Sequence, residues 1–132
     1  MPPELALEIR EWRRKAEIDL SAATALLRGE QTFPSVAVFL CQQAAEKMLK
    51  AYLTWLAKPF APVHDLRRLC ELCAAHDSAF DELREAAEIL TPYAVAVRYP
   101  GQVSDPTAGE AEAARGLAVK VVAFVSARLP RE

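Results

Sequence analysis

Gln42-Gln43-Ala44-Ala45-Glu46-Lys47-Met48-Leu49-Lys50-Ala51-Tyr52 is the stretch that decides the fold. At about 100° per residue it predicts a helix whose narrow polar stripe is Gln43, Glu46, Lys47, Lys50 and Thr54. The other side carries Ala37, Leu40, Cys41, Ala44, Ala45, Met48, Ala51, Tyr52, Trp55 and Leu56. That apolar arc covers about half the circumference, wider than a surface helix needs. Such a helix is packed on two sides. Its stripe is then either the one wetted strip of a central bundle helix or the wall of a groove.

Outward from this helix, the punctuation of the chain sets its neighbours. A first helix begins after Pro2-Pro3 and runs to Arg28-Gly29, with Leu5, Ile9, Trp12, Ala16, Leu20, Ala23, Leu26 and Leu27 facing the core. Asp19 falls inside that apolar arc, close in angle to Trp12 and Leu26, so its carboxylate needs a partner or a wet gap. The second helix spans about Pro34 to Ala57, closed by Lys58-Pro59-Phe60-Ala61-Pro62. Asp65 suits the N-cap of a short third helix carrying Leu66, Leu69, Cys70 and Cys73. Asp77 or Ser78 opens a fourth with Phe80, Leu83, Ala87 and Leu90, kinked or restarted at Thr91-Pro92 and continuing to Arg98. Ser104-Asp105-Pro106 opens the last, with Ala111, Ala114, Ala118, Val121, Val122, Val125 and Leu129 on one face. No segment alternates with a period of two. The reading is all-α: an antiparallel bundle of four to five helices in one domain over residues 1–132.

Composition narrows the function. A chain of 132 residues can bury roughly two thirds of its unfolded surface without metal or disulfide. A net charge of −2 argues against coating nucleic acid by charge alone, so any such contact is local. Three cysteines, an odd number, two of them in a helical pattern, read as free thiols of a cytoplasmic protein. Charged residues interrupt every apolar run well short of a membrane span, and the N-terminus carries no targeting pattern. With only four glycines and no strands, dinucleotide-fold and phosphate-loop readings fail, and no cofactor is called for.

The order of the pieces resembles the HEPN family of small prokaryotic helical domains. The resemblance rests on Ala16-Glu17-Ile18-Asp19-Leu20 with Ala23 and Leu26-Leu27, on Gln42-Gln43-Ala44-Ala45-Glu46-Lys47 with Lys50-Ala51, on His64-Asp65-Leu66, and on Tyr93 ahead of Arg98-Tyr99-Pro100. It implies the HEPN fold of the nucleotidyltransferase substrate-binding-subunit type, a homodimer with Arg-bearing helix ends at its cleft, and a minimal nucleotidyltransferase as partner in a two-component or toxin-antitoxin pair. Members resemble metal-independent ribonucleases when an arginine is followed about four to six residues later by a histidine, which supplies a phosphate-binding cation and an acid or base near neutral pH. Here Arg98 stands at the arginine end, but the only histidines, His64 and His76, lie upstream. The resemblance therefore implies a nucleotide- or RNA-binding subunit. The alternatives are a ribonuclease toxin using Arg98 with Tyr99 or His64, and a dimeric scaffold without ligand.

Candidate ligand-binding residues are Arg98, Tyr99, Asp19, Gln43, Glu46, Lys47 and Lys50; Arg98 and His64 are the candidates for catalysis. Arg98 beside Tyr99 suits a phosphate and a base, and equally a structural pairing with Asp19 or Glu46. Tyr93 reads as packing. Glu46 and Lys50 form an i,i+4 pair whose default is a solvated one, although two lysines and two glutamines suit an anion if a second subunit covers the stripe. His64-Asp65 reads as a helix cap with the imidazole packed on the loop rather than as a catalytic dyad. Cys70, Cys73 and His76 have a spacing that invites zinc or redox chemistry, but they spread around the helix among Leu69 and Leu72, so core packing is preferred and no metal is assigned.

Overall fold

In a computed structural model, which describes residues 1–60, 62–95 and 105–130, every regular element is helical. The elements are α1 (Pro3–Leu26), α2 (Pro34–Trp55), α3 (Leu66–His76), α4 (Arg84–Leu90) and α5 (Ala108–Ser126), with 3-10 turns at Ser78–Leu83 and Thr91–Ala94 flanking α4. The all-helical bundle read from periodicity is the fold. None of the described helices is long and apolar enough to cross a membrane.

α2 is the central helix, packed against α1, α5, α3 and the Thr91–Ala94 turn. Its arc explains why: Ala37, Cys41, Ala44, Ala45, Met48, Ala51 and Tyr52 are all sealed from solvent, and Leu40, Trp55 and Leu56 are partly so. Small residues at Ala16 and Ala23 of α1 and Ala111, Ala114 and Ala118 of α5, all fully buried, let backbones approach closely. Val121, Val125 and Leu129 complete the face expected of α5, with Val122 at its margin. An aromatic chain ties the far end together: Tyr52 lies 4.5 Å from Phe80 and 5.6 Å from Trp55, and Phe80 lies 5.1 Å from Phe124. At the other end Arg28 grips Glu112 at 2.9 Å, which sets the start of α5 beside the end of α1, so α5 runs back along it.

Three element ends differ from the sequence reading. α2 stops before its prolines: Ala57 adopts φ 55°, and the Lys58 amide donates to the Leu53 carbonyl at 2.9 Å, a left-handed cap that usually takes glycine. α5 is opened by Thr107, not by Ser104-Asp105-Pro106, through a reciprocal capping box in which Thr107 accepts from the Glu110 amide and Glu110 accepts from the Thr107 amide, each at 3.0 Å. The fourth helix is shorter than expected. Asp77 accepts from the Ala79 amide and tightens the entry into a 3-10 turn, and the described helical turn ends before Val95, which is extended (φ −91°, ψ 114°). Arg98, Tyr99 and Pro100 lie outside the described residues.

Candidate functional site

The polar stripe of α2 is sealed at Glu46 and Lys50 and partly exposed at Gln43, Lys47 and Thr54. Glu46 is 4% exposed, Lys50 8% and Gln42 0%, and Trp12 of α1 and Phe60, which follows α2, lie over Lys50. The solvated Glu46–Lys50 pair expected from spacing is therefore a sealed one. Lys50 Nζ donates to Glu46 Oε2 at 3.0 Å and sits 6.0 Å from the Trp12 ring centre and 5.8 Å from that of Phe60. A charge removed from water in this way requires a counter-charge and full hydrogen bonding, and Glu46 supplies the first.

Glu46 is the hub. Its Oε1 accepts from Gln42 Nε2 at 3.1 Å and faces His64 Nδ1 at 2.9 Å, while Oε2 holds Lys50. Gln42 Nε2 also donates to the His64 carbonyl at 3.0 Å, and Gln42 Oε1 accepts from Gln43 at 2.7 Å. One side chain of α2 thus fastens both the backbone and, through Glu46, the ring of His64. Burial alone would raise the Glu46 pKa, but hydrogen bonds from Lys50, Gln42 and His64 outweigh it and hold the carboxyl below its ordinary value. The carboxylate is ionised at neutral pH.

His64 is the exposed member of this cluster. Its side chain is 63% exposed, with Nδ1 turned inward to Glu46. The imidazole packed on its own loop is thus replaced by one that reaches back to α2. Asp65 takes the capping role foreseen for it, accepting from the Arg67 amide at 3.0 Å and from the Arg67 side chain at 3.1 Å, which holds its carboxyl below its ordinary value. Next to it the Leu66 amide donates to Thr91 Oγ1 at 3.2 Å, and Thr91 donates to the Ala87 carbonyl at 2.6 Å. The connection that carries His64 is thereby joined to the Thr91–Ala94 turn.

Asp19 finds a partner in Lys47, one turn along α2 from Gln43, and the arginine considered for it, Arg98, lies outside the described residues. The pair is partly buried, with side chains 15% and 20% exposed. Glu46, Lys50 and His64 are therefore brought together, Gln43 joins them through Gln42, and Asp19 with Lys47 forms a separate pair in the α1/α2 seam. Tyr93 packs against the core as expected. Sequence reasoning missed Gln42, Trp12 and Phe60. Gln42 stands four residues before Glu46, a spacing that places the two on one helix face.

The cysteines are packing residues. Cys70 Sγ donates to the Phe80 carbonyl at 3.3 Å, Cys73 Sγ lies 3.8 Å from the Leu49 carbonyl, and burial raises both pKa values. His76 points elsewhere, its ring 6.1 Å from that of Tyr52. Among the described residues no group of three or more His, Cys, Asp or Glu side chains could hold a metal ion.

The fold has known counterparts. The fold superimposes on the crystal structure of TT1696 from Thermus thermophilus with a TM-score of 0.78 and 31% identity, covering 92% of this chain and 98% of that one. It also matches ST0689, an archaeal HEPN homologue, with a TM-score of 0.71 and 22% identity over 91% of this chain and 96% of that one. No curated protein matches. The family model of the HEPN domain matches residues 9–128, and with nearly the full length accounted for, this chain belongs to the HEPN domain family.

Proposed function

We propose that this HEPN-domain protein is a cytoplasmic nucleotide- or RNA-binding subunit, working as a homodimer beside a minimal nucleotidyltransferase in a two-component, toxin-antitoxin-like pair. The observation that carries this reading is the cluster at the junction of α1, α2 and the 56–65 connection. There, two aromatic rings, Trp12 and Phe60, flank Lys50, and the buried carboxylate that pairs with this lysine also holds an exposed histidine. Aromatic faces with adjacent cationic or hydrogen-bonding groups suit a base and its phosphate. The sequence candidates Arg98 and Tyr99, a guanidinium and a further ring, lie outside the described residues. In this reading transfer chemistry belongs to the partner, and the lack of a histidine after Arg98 weighs against RNA cleavage by this chain.

Titrating the purified protein with ATP, GTP and a single-stranded oligoribonucleotide tests the reading, with tryptophan fluorescence and melting temperature as signals. Saturable quenching, weakened in Trp12→Leu, and a melting temperature that rises by a few degrees at saturating ligand are expected. Silence with all three ligands would leave the dimeric scaffold as the better description. Co-purification with the product of an adjacent nucleotidyltransferase reading frame tests the partner.

A second reading has its own support. His64 backed by Glu46 has the geometry of an imidazole held in one orientation by a carboxylate, as proton-transfer sites require. Incubation with total RNA decides between the two: cleavage lost in both Arg98→Ala and His64→Ala would make the protein a ribonuclease.

A further inference from the structure

The binding reading leaves open how the exposed face of His64 meets a ligand, and the hydrogen bonds behind it answer this. Ionised Glu46 has no proton to give, so at 2.9 Å the shared proton sits on Nδ1 of His64. A neutral ring in that tautomer presents a bare lone pair at Nε2, which has no partner among the described residues. A phosphate oxygen is also an acceptor. The two cannot bond until the ring gains its second proton, when Nε2 becomes a donor and the ring a cation.

We propose that His64 is a proton-dependent contact for a phosphate ester, so that the protein binds its phosphorylated ligand more tightly as pH falls through the imidazole range. The inference rests on the binding reading above and deepens it. The neighbouring charges do not substitute for the ring. On α2, Lys50 is neutralised by Glu46 at 3.0 Å. At the start of α3, Asp65 is held by Arg67 at 3.1 Å, with Glu88 of α4 acting on that arginine. On α1, Glu8, Glu11 and Lys15 line a hollow of about 220 Å³ beside Trp12. The residues of the Thr91–Ala94 turn carry no charge.

The test is the affinity of the intact protein for ATP, for a single-stranded oligoribonucleotide and for adenosine, measured between about pH 5.5 and pH 8, a range that brackets imidazole titration. The same series is run on His64→Gln, whose melting curve establishes that it is folded. Wild-type affinity for at least one phosphorylated probe should weaken on the alkaline side by up to about tenfold per pH unit, beyond any trend in His64→Gln. The oligoribonucleotide keeps its charge over this range, and the titration of ATP itself is common to both proteins. Pairing confined to ATP identifies a free nucleotide as the source of the phosphate, and pairing with the oligonucleotide identifies RNA. Nitrogen NMR should show the Nδ1–H tautomer in the wild type. Binding with the same pH profile in wild type and His64→Gln overturns this inference and leaves the binding function standing, as does adenosine binding that matches ATP in strength and pH profile. Failure of all three probes to bind at any pH overturns both.

Discussion

Removing the Glu46 carboxylate, as in Glu46→Ala, should cost far more than its helical spacing suggests. The three donors that Glu46 serves fare differently once it is gone. Gln42 keeps the His64 carbonyl at 3.0 Å, and His64, 63% exposed on its side chain, turns to water. Lys50 has neither outlet. It is 8% exposed and lies between Trp12 and Phe60, so its charge remains buried without a counter-ion. Stranding one member of a sealed pair costs about 3–5 kcal/mol, a large part of the roughly 5–15 kcal/mol that holds a domain of this kind folded. Replacing both members with apolar side chains, as in Glu46→Leu with Lys50→Met, removes the stranded charge and should return the protein most of the way to wild-type stability or beyond it. Urea unfolding followed by circular dichroism measures all three proteins. If Glu46→Ala costs about 0.5 kcal/mol or less, the value of an exposed i,i+4 pair, then Lys50 reaches solvent and the sealed-pair reasoning is wrong. The same network fixes the acid limb of stability. Because the folded carboxyl is held below its ordinary value of 4.5, its contribution is fully present above that pH and is lost as pH falls through the lower folded value. Glu46→Gln should flatten that acid limb.

Three further outcomes follow from individual residues. Ala57 sits at φ 55°, where a side chain costs about 1–2 kcal/mol and glycine loses about 0.5–1 kcal/mol of unfolded-state freedom, so Ala57→Gly should raise the urea midpoint by a net gain of up to about 1 kcal/mol. A drop in the midpoint would mean that the Ala57 methyl is packed more tightly than the cap geometry implies. Asp19→Ala should cost about 1–2 kcal/mol in the same assay, between an exposed and a sealed pair, because Lys47 is 20% exposed and can turn to water; a loss equal to that of Glu46→Ala would contradict the ranking. Burial pushes the Cys41 thiol up to about 11 and raises Cys70 and Cys73 as well, so a thiol reagent at pH 8 should label the three cysteines only at the rate of unfolding. Rapid labelling of the native protein would refute that burial.

What the sequence discloses, and what it withholds, follows from the reach of its periodicity. Angle around a helix tells which residues share a side, so the apolar arc from Ala37 to Tyr52 and the alanine-rich face of α5 are legible in the sequence. It does not tell what covers the other side. The cover on Glu46 and Lys50 comes partly from Phe60, in a proline-broken connection with no repeat to read, and from spacing alone the sealed network therefore reads as a surface pair. Gln42 has no assignment in the sequence for a related reason: it borders the arc, and only the His64 carbonyl, 22 residues away, gives its amide a purpose. Two prolines claim the end of α2 because proline is a strong stop, yet the backbone has already turned at Ala57, a residue with no stop signal of its own. Thr107-x-x-Glu110 is readable, being a local signature, but the louder Ser104-Asp105-Pro106 outweighs it. Local rules thus locate the helices and long-range contacts decide the chemistry. A carboxylate on α2 and an imidazole from a loop come together only once the bundle closes, which is why His64, read from sequence as a cap and as a candidate for catalysis, becomes the group on which ligand binding and its pH dependence are proposed to turn.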